Sequence, residues 1–259
     1  MVDEKNVVRS ERRGAVGIVT IARPERRNAL NLQVKLDLVA QLRAMELEPG
    51  VSVVVLTGSD GHFVAGTDIA EMATMRPTDH VRLQTDQVFH IVRQLAKPVI
   101  AAVEGYALGG GCELALACDL IIAGEDAKFG QPEIRVGIMP GAGGTQRLLR
   151  TAGRYKTLLW SLTGDTIPAG DAYMANVVSE LVPPGQALAR AIELGEQIAA
   201  MPPLAVQAIR DAVRLGADVP MDTALALERG YFERLFDSED QKEGMRAFLE
   251  KRAPQYQGR

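Results

Sequence analysis

Apolar and polar positions change period several times along the chain, and each change marks an element. "AVGIVTIARP" (15–24) is a short apolar run closed by proline, which predicts a strand. "NLQVKLDLVAQLRAMELEPG" (31–50) spaces its apolar residues at helical intervals until Pro49-Gly50 stops it. "VSVVVLTG" (51–58) predicts a second strand, Val81 to Leu95 a helix, and "KPVIAAVEG" (97–105), continuously apolar at its centre, a buried strand. "CELALACD" (112–119) then reads as helix and "LIIAG" (120–124) as strand, while "GGTQRLLRTAG" (143–153) and "YKTLLWSLTG" (155–164) read as helices closed by glycine. Alternation of this kind predicts an α/β unit over residues 1–182. Over 183–259 the pattern becomes purely helical, in four segments that begin near Pro184, Pro203, Met221 and Ser238, and it predicts a helical appendage.

Composition narrows the classes. With 259 residues, 47% of them hydrophobic and 24% charged, the chain has the profile of an ordinary globular protein. Its longest apolar runs are far too short to span a bilayer, and "MVDEKNVVRSERR" (1–13) carries charges where a leader needs an apolar run, so a cytoplasmic protein without membrane contact is expected. Cys112 and Cys118, six apart in one apolar segment, match neither a zinc site nor a redox pair and read as small core residues. A net charge of −4 gives nucleic acid no electrostatic invitation, and the cluster Arg9, Arg12, Arg13 reads as solvated surface. His62, His80 and His90 show no metal-ligand spacing, so no metal is expected.

The glycine-rich stretches are the candidates for chemistry. "GGGCEL" (109–114) and "GAGGTQ" (141–146) lack the dinucleotide fingerprint and the P-loop ending. Glycines at 109–111 ahead of a helical run do leave backbone N–H groups open at a helix start, an arrangement suited to a developing negative charge. "FVAGTDIAEM" (63–72) repeats the strand, glycine and helix order and offers a second such donor; Asp68 within it reads as an N-cap. Glu113 falls inside an apolar helix and Glu133 among apolar neighbours in "FGQPEIRVGIMPGAGGTQRL" (129–148). Burial raises a carboxyl's proton affinity toward the range useful for general acid or base work, and two such groups can divide the movement of protons. Asp119 reads as a cap or an ion-pair partner.

These stretches, together with "RPERRNAL" (23–30), "KPVIAAVEGYALGGGCELALACD" (97–119), "LTGDTIPAGDA" (162–172) and "EGMRAFLEKR" (243–252), follow one another in an order and spacing that resembles the enoyl-CoA hydratase, or crotonase, family across nearly the whole chain. The resemblance implies an α/β crotonase (ClpP-like) spiral of strand-strand-helix repeats with a C-terminal helical region that forms trimers, commonly stacked as hexamers. It implies an acyl-CoA thioester substrate whose carbonyl is polarised by the backbone N–H groups of Thr67 and Gly110. Glu133 would exchange the proton at C2, Glu113 would activate the water added at C3, and the backbone at Gly141 would help hold that water. Arg26, the backbone of Ala65, Gly66, Thr67, Asp68 and Ile69, and Lys251 would surround coenzyme A, and no cofactor beyond that substrate moiety is implied.

Some positions depart from the family pattern. Thr67 stands where many relatives have alanine, which leaves a main-chain donor intact; Ala70 stands where some have lysine, which removes one phosphate contact; Asn176 replaces a glycine after a helix. Hydration is the reaction two glutamates favour. Isomerisation or hydrolysis on the same scaffold, an RNA-binding role, and a scaffold without activity are the alternatives. "GIMPGAGGTQRLLR" (137–150) and "EKRAPQYQGR" (250–259) are also similar to dehydroadipyl-CoA hydratases, and the direction of Arg135 decides whether the chain pocket welcomes a carboxylate.

Overall fold

The computed structural model describes residues 7–259, so Met1 to Asn6 of the charged opening stretch lie outside the described residues. The strands are β1 (Val8–Arg13), β2 (Val16–Ile21), β3 (Val53–Gly58), β4 (Val99–Val103), β5 (Tyr106–Leu108), β6 (Leu120–Gly124), β7 (Lys128–Gly130), β8 (Ile167–Pro168) and β9 (Glu180–Val182). The helices are α1 (Leu32–Leu47), α2 (Ile69–Met72), α3 (Pro77–Arg82), α4 (Gln87–Gln94), α5 (Gly110–Ala117), α6 (Gly144–Thr151), α7 (Gly153–Thr163), α8 (Ala169–Met174), α9 (Ala187–Ala199), α10 (Pro203–Gly216), α11 (Met221–Leu235) and α12 (Glu239–Glu250).

A six-stranded sheet runs β1-β2-β3-β4-β6-β9, parallel except for β1, and a three-stranded sheet runs β5-β7-β8. Only two residues separate β4 from β5, with Gly105 at φ 55°, and only three separate β6 from β7. Each time, the chain leaves the large sheet, turns sharply, enters the small one and then starts a helix. Residues after β3 do the same without forming a full strand, because Val64 bridges to Ala107 in parallel. Val64, Ala107 and Phe129 are therefore successive rungs of one coil, the strand-strand-helix spiral.

Continuous apolar strands follow from burial on both faces. Val54 and Leu56 of β3 face the core formed with α1, α4 and α5, whereas Val53 and Val55 face α9. Small residues let α9 come close: a Cβ at Gly195 would lie 2.8 Å from Val16 Cγ2. The helical run past Val182 thus begins with the helix that closes the outer face of the large sheet, and α10 to α12 extend beyond it. Asn31 caps α1 through its side chain, which accepts from the Val34 N–H at 2.9 Å, and Val34, Leu38 and Leu42 are its buried stripe. Asn176 takes the left-handed conformation after α8, with φ 61°, as its replacement of glycine requires.

The single helix expected from Val81 to Leu95 is instead two, α3 and α4. Its apolar stripe, Val81, Val88, Val92 and Leu95, has a polar gap at Gln84 and Thr85, and the chain breaks there with Gln84 at φ 46°. The break leaves the Thr85 carbonyl outside any helix, where Lys35 Nζ donates to it at 2.9 Å.

Asn28 ties the start of the spiral to the first active loop. It is fully buried with φ 61°, its Oδ1 accepts from the Arg23 N–H at 2.9 Å, and its Nδ2 donates to the carbonyls of Ser59 at 2.9 Å and His62 at 2.7 Å. Asn28→Ala strands those carbonyls and places alanine in a left-handed conformation. It should cost about 2–4 kcal/mol in chemical denaturation, and a change below about 0.5 kcal/mol would contradict this role.

Candidate active site

Three turns of the coil deliver three glycine-containing loops to one place. After Phe63 and Val64, Gly66 at φ 135° lets the chain bend so that Leu30 N–H donates to the Gly66 carbonyl and Asp68 N–H to the Leu30 carbonyl. Thr67 lies between them, and its own N–H donates to no acceptor among the described residues. One turn later Gly109, at φ 51°, starts α5 and turns the Gly110 N–H outward at the helix N-terminus. A Cβ at Gly110 would lie 2.5 Å from Thr67 Oγ1 and 3.6 Å from Thr67 N, so the start of α5 packs directly against Thr67. Glycine at 109 also keeps clear of the second carboxyl, since a Cβ there would lie 3.0 Å from Glu133 Oε1.

Asp68 fixes the first loop, as its reading as a cap implied. Its carboxylate accepts from the Ala70 N–H at 3.1 Å and pairs with Arg23 at 2.8 Å, and the Arg23 hydrogen bond holds its pKa below the usual carboxylate range.

Glu113, on the first turn of α5, is 3% exposed. Its Oε1 accepts from the N–H groups of Ala142 at 2.7 Å and Gly144 at 2.9 Å, contributed by the third loop; Oε2 receives no hydrogen bond from the described residues. Arg147 braces that loop, its Nη1 donating to the Ala142 carbonyl at 2.7 Å. Burial raises the pKa of Glu113 above the ordinary value, opposed by the Gly144 and Ala142 amides and then by the charges of Arg147 and Lys35. Glu133 sits in the short 3₁₀ turn Pro132–Val136. Burial pushes its pKa up to about 7, its own backbone N–H opposes the rise, and the charge of Glu113 adds to it. Fully buried Gln131, with its amide nitrogen toward Glu133, donates to both carboxylate oxygens at 3.2 Å. The Cys112 thiol, pushed up to about 12 by burial, is a core group and no nucleophile.

These groups face a cavity of about 850 Å³. Among the expected residues, Ala65, Gly66, Thr67, Ile69, Glu113, Glu133 and Gly141 line it, and Gly110 adjoins it at Thr67. Asp68 lies behind the wall in its cap and ion pair, Arg26 is exposed on the 3₁₀ turn Pro24–Arg26, and Lys251 is exposed at the end of α12 with φ 55°. Arg135 lines the cavity, but its guanidinium is paired with Asp165 at 2.6 Å on the exposed side. Three residues went unnoticed in the sequence. Gln131 and Arg147 carry no signal beyond their place beside Glu133 and in the third loop, and Lys35 looks like an ordinary helix lysine until α4 packs against α1.

Chemically, the site offers the unspent amides of the adjoining residues Thr67 and Gly110 for an oxygen that gains negative charge, a Glu133 carboxyl whose pKa is about 7, and a Glu113 carboxyl held above its ordinary range.

The family model for enoyl-CoA hydratase/isomerase matches residues 11–259. A protein of Escherichia coli (strain K12) named 2,3-dehydroadipyl-CoA hydratase is 44% identical, over 96% of this chain and 97% of its own. The short-chain-enoyl-CoA hydratase of Clostridium acetobutylicum is 41% identical, over 96% and 97%. Among solved structures, an enoyl-CoA hydratase subunit I from Geobacillus kaustophilus HTA426 superposes with a TM-score of 0.94 at 43% identity, covering 98% of each chain. An enoyl-CoA hydratase from Bacillus anthracis does so with 0.93 at 36% identity, covering 98% of this chain and 100% of its own.

Proposed function

For a chain that belongs to the enoyl-CoA hydratase/isomerase family, we propose the activity of an enoyl-CoA hydratase: reversible addition of water to the 2,3-double bond of a trans-2-enoyl-CoA, giving a 3-hydroxyacyl-CoA. The observation that carries this reading is the placement of two proton-holding carboxyls beside the paired amides of Thr67 and Gly110.

The thioester oxygen binds between those amides, which stabilise the charge it gains as C3 is attacked; one such donor is worth roughly 100- to 1000-fold in rate. Ionised Glu113, through its free Oε2, takes a proton from the water whose oxygen adds to C3, with the backbone at Gly141 beside it. Protonated Glu133 gives its proton to C2. The pair begins and ends with one proton between its members, so hydration and dehydration need the same singly protonated state. Amides and carboxyls account for every charge and proton, and the reading calls for no metal or further cofactor. An isomerase needs only one proton carrier, working between C2 and C4; a second carboxyl held at Glu113 favours hydration.

Coenzyme A would lie along the backbone of Ala65, Gly66, Thr67, Asp68 and Ile69, with Arg26 and Lys251 as cations for its phosphates. No helix of the described residues is long and apolar enough to cross a membrane. A cytoplasmic enzyme acting on a water-soluble thioester is the setting we assign, with no nucleic-acid partner at a net charge of −4; recovery of the protein in the membrane fraction would contradict it. Exposed apolar side chains on the C-terminal helices, among them Met221, Leu225, Phe232, Phe248 and Leu249, support a homotrimer or a homohexamer. Light scattering should give three or six times the 28.0 kDa of one chain, and a monomer at micromolar concentration would refute this assembly.

Glu113→Gln and Glu133→Gln should each lower hydration of crotonyl-CoA, followed as loss of the conjugated thioester absorbance, by about 100- to 10,000-fold. Either variant retaining a tenth of the rate would sink the assignment. For the wild type, kcat/KM should be bell-shaped in pH. Its alkaline limb should fall near 7, where the pair loses its shared proton, and its acid limb should fall above the usual carboxylate range, where Glu113 protonates. A profile flat from pH 6 to 9 would contradict the proton inventory.

A further inference from the structure

Lys35 of α1 lines the cavity together with Met72, Met75, Val81 and Phe89. Its ammonium has three N–H donors, and the Thr85 carbonyl takes one of them, at 2.9 Å. Its Nζ also lies over the Phe89 ring, 5.9 Å from the centroid, but no second oxygen or nitrogen acceptor bonds it among the described residues, and no carboxylate there is close enough to form an ion pair. The acids around it have partners of their own: Glu71 Oε2 accepts from the Leu32 N–H at 2.9 Å, Asp86 pairs with His90 at 3.0 Å, and Glu113 is held by two amides. Two donors of a half-buried cation on the cavity wall are thus left without an oxygen or nitrogen acceptor. A desolvated charge with unused donors is costly in an apolar chain pocket, because a wholly hydrocarbon tail cannot satisfy them.

Position along the substrate follows from the same geometry. Lys35 is close enough to Glu113 for each charge to act on the other's titration. If Glu113 delivers water to C3 and the apolar lining of Met72, Met75, Val81 and Phe89 takes the hydrocarbon chain, an ammonium that lines the same cavity meets the chain beyond C3. Arg135, the other cation on the wall, is engaged with Asp165 and leaves this role to Lys35.

We propose that Lys35 is a specificity-determining residue that selects trans-2-enoyl thioesters whose acyl chain bears a hydrogen-bond-accepting oxygen beyond C3, over hydrocarbon chains of the same length. This rests on the hydratase reading and deepens it. An oxygen at the far end of a six-carbon chain would complete the ammonium's donor set, and a carboxylate there would do so with a charge-assisted bond.

Three six-carbon substrates separate the possibilities: trans-2-hexenoyl-CoA, its 6-hydroxy analogue, and 2,3-dehydroadipyl-CoA, which ends in a carboxylate. The wild type should hydrate at least one oxygen-bearing chain with kcat/KM about tenfold or more above hexenoyl-CoA, chiefly through KM. Which of the two leads tells a charged acceptor from a neutral one. Lys35→Met should reduce that preference about tenfold or more; if the methionine variant is insoluble, Lys35→Gln is measured the same way, and it should lose the carboxylate preference. Were Lys35 only a brace for the Thr85 carbonyl, the variant would slow all three substrates alike and leave the ratio unchanged, which overturns the proposal. Equal or better turnover of hexenoyl-CoA by the wild type also overturns it while leaving the hydratase reading intact; failure to hydrate any of the three is the separate failure of that reading.

Discussion

Glu113 Oε1 accepting from the Ala142 and Gly144 amides is the interaction on which the rest of the site depends. A carboxylate that is 3% exposed needs donors, and side chains could supply them only by filling the reaction space. Main-chain N–H groups from a neighbouring turn supply them from behind. This constrains the fold: the third loop must lie against the start of α5, which requires the coil to bring successive turns into register. Gly144 has no room for a side chain, since a Cβ there would lie 2.7 Å from Gln131 Cδ, and Gln131 in turn reaches Glu133. One contact therefore couples both carboxyls to the packing of three loops.

The two carboxyls are tuned by different means. Burial raises both, but Glu113 is drawn back by two loop amides and by the charges of Arg147 and Lys35, whereas Glu133 is opposed by its own backbone N–H and the Gln131 amide while the Glu113 charge adds to the rise. One group is thereby biased toward carboxylate and the other toward carboxylic acid. That division is what adding a hydroxyl and a proton to adjacent carbons calls for.

The sequence made some of this legible and hid the rest for physical reasons. Glycines at 109–111, the repeat of that order at Phe63–Met72, and a glutamate inside an apolar helix are local signals, since backbone conformation and burial pattern leave their mark in consecutive residues. The long strands and α1 were legible for the same reason. β5, β7 and β8 span only two or three residues each, too short to show alternation, and β1, "VRSERR", is an edge strand whose pairing comes from β2 rather than from its own pattern. The break between α3 and α4 depends on two polar residues within one stripe and on a lysine fifty positions earlier taking the Thr85 carbonyl. Lys35 and Arg147 act through the backbone carbonyls of Thr85 and Ala142, which nothing beside them in the chain announces, and Gln131 is marked only by its place two residues before Glu133.

Atom placement tests the central claim most directly. Crotonyl-CoA incubated with the protein in deuterium oxide, with the product read by NMR and mass spectrometry, should become 3-hydroxybutyryl-CoA carrying one solvent-derived deuteron at C2 and a solvent oxygen at C3. Deuterium at C4 without added oxygen, or release of free coenzyme A, would show that the amides and carboxyls of this cavity serve a different reaction.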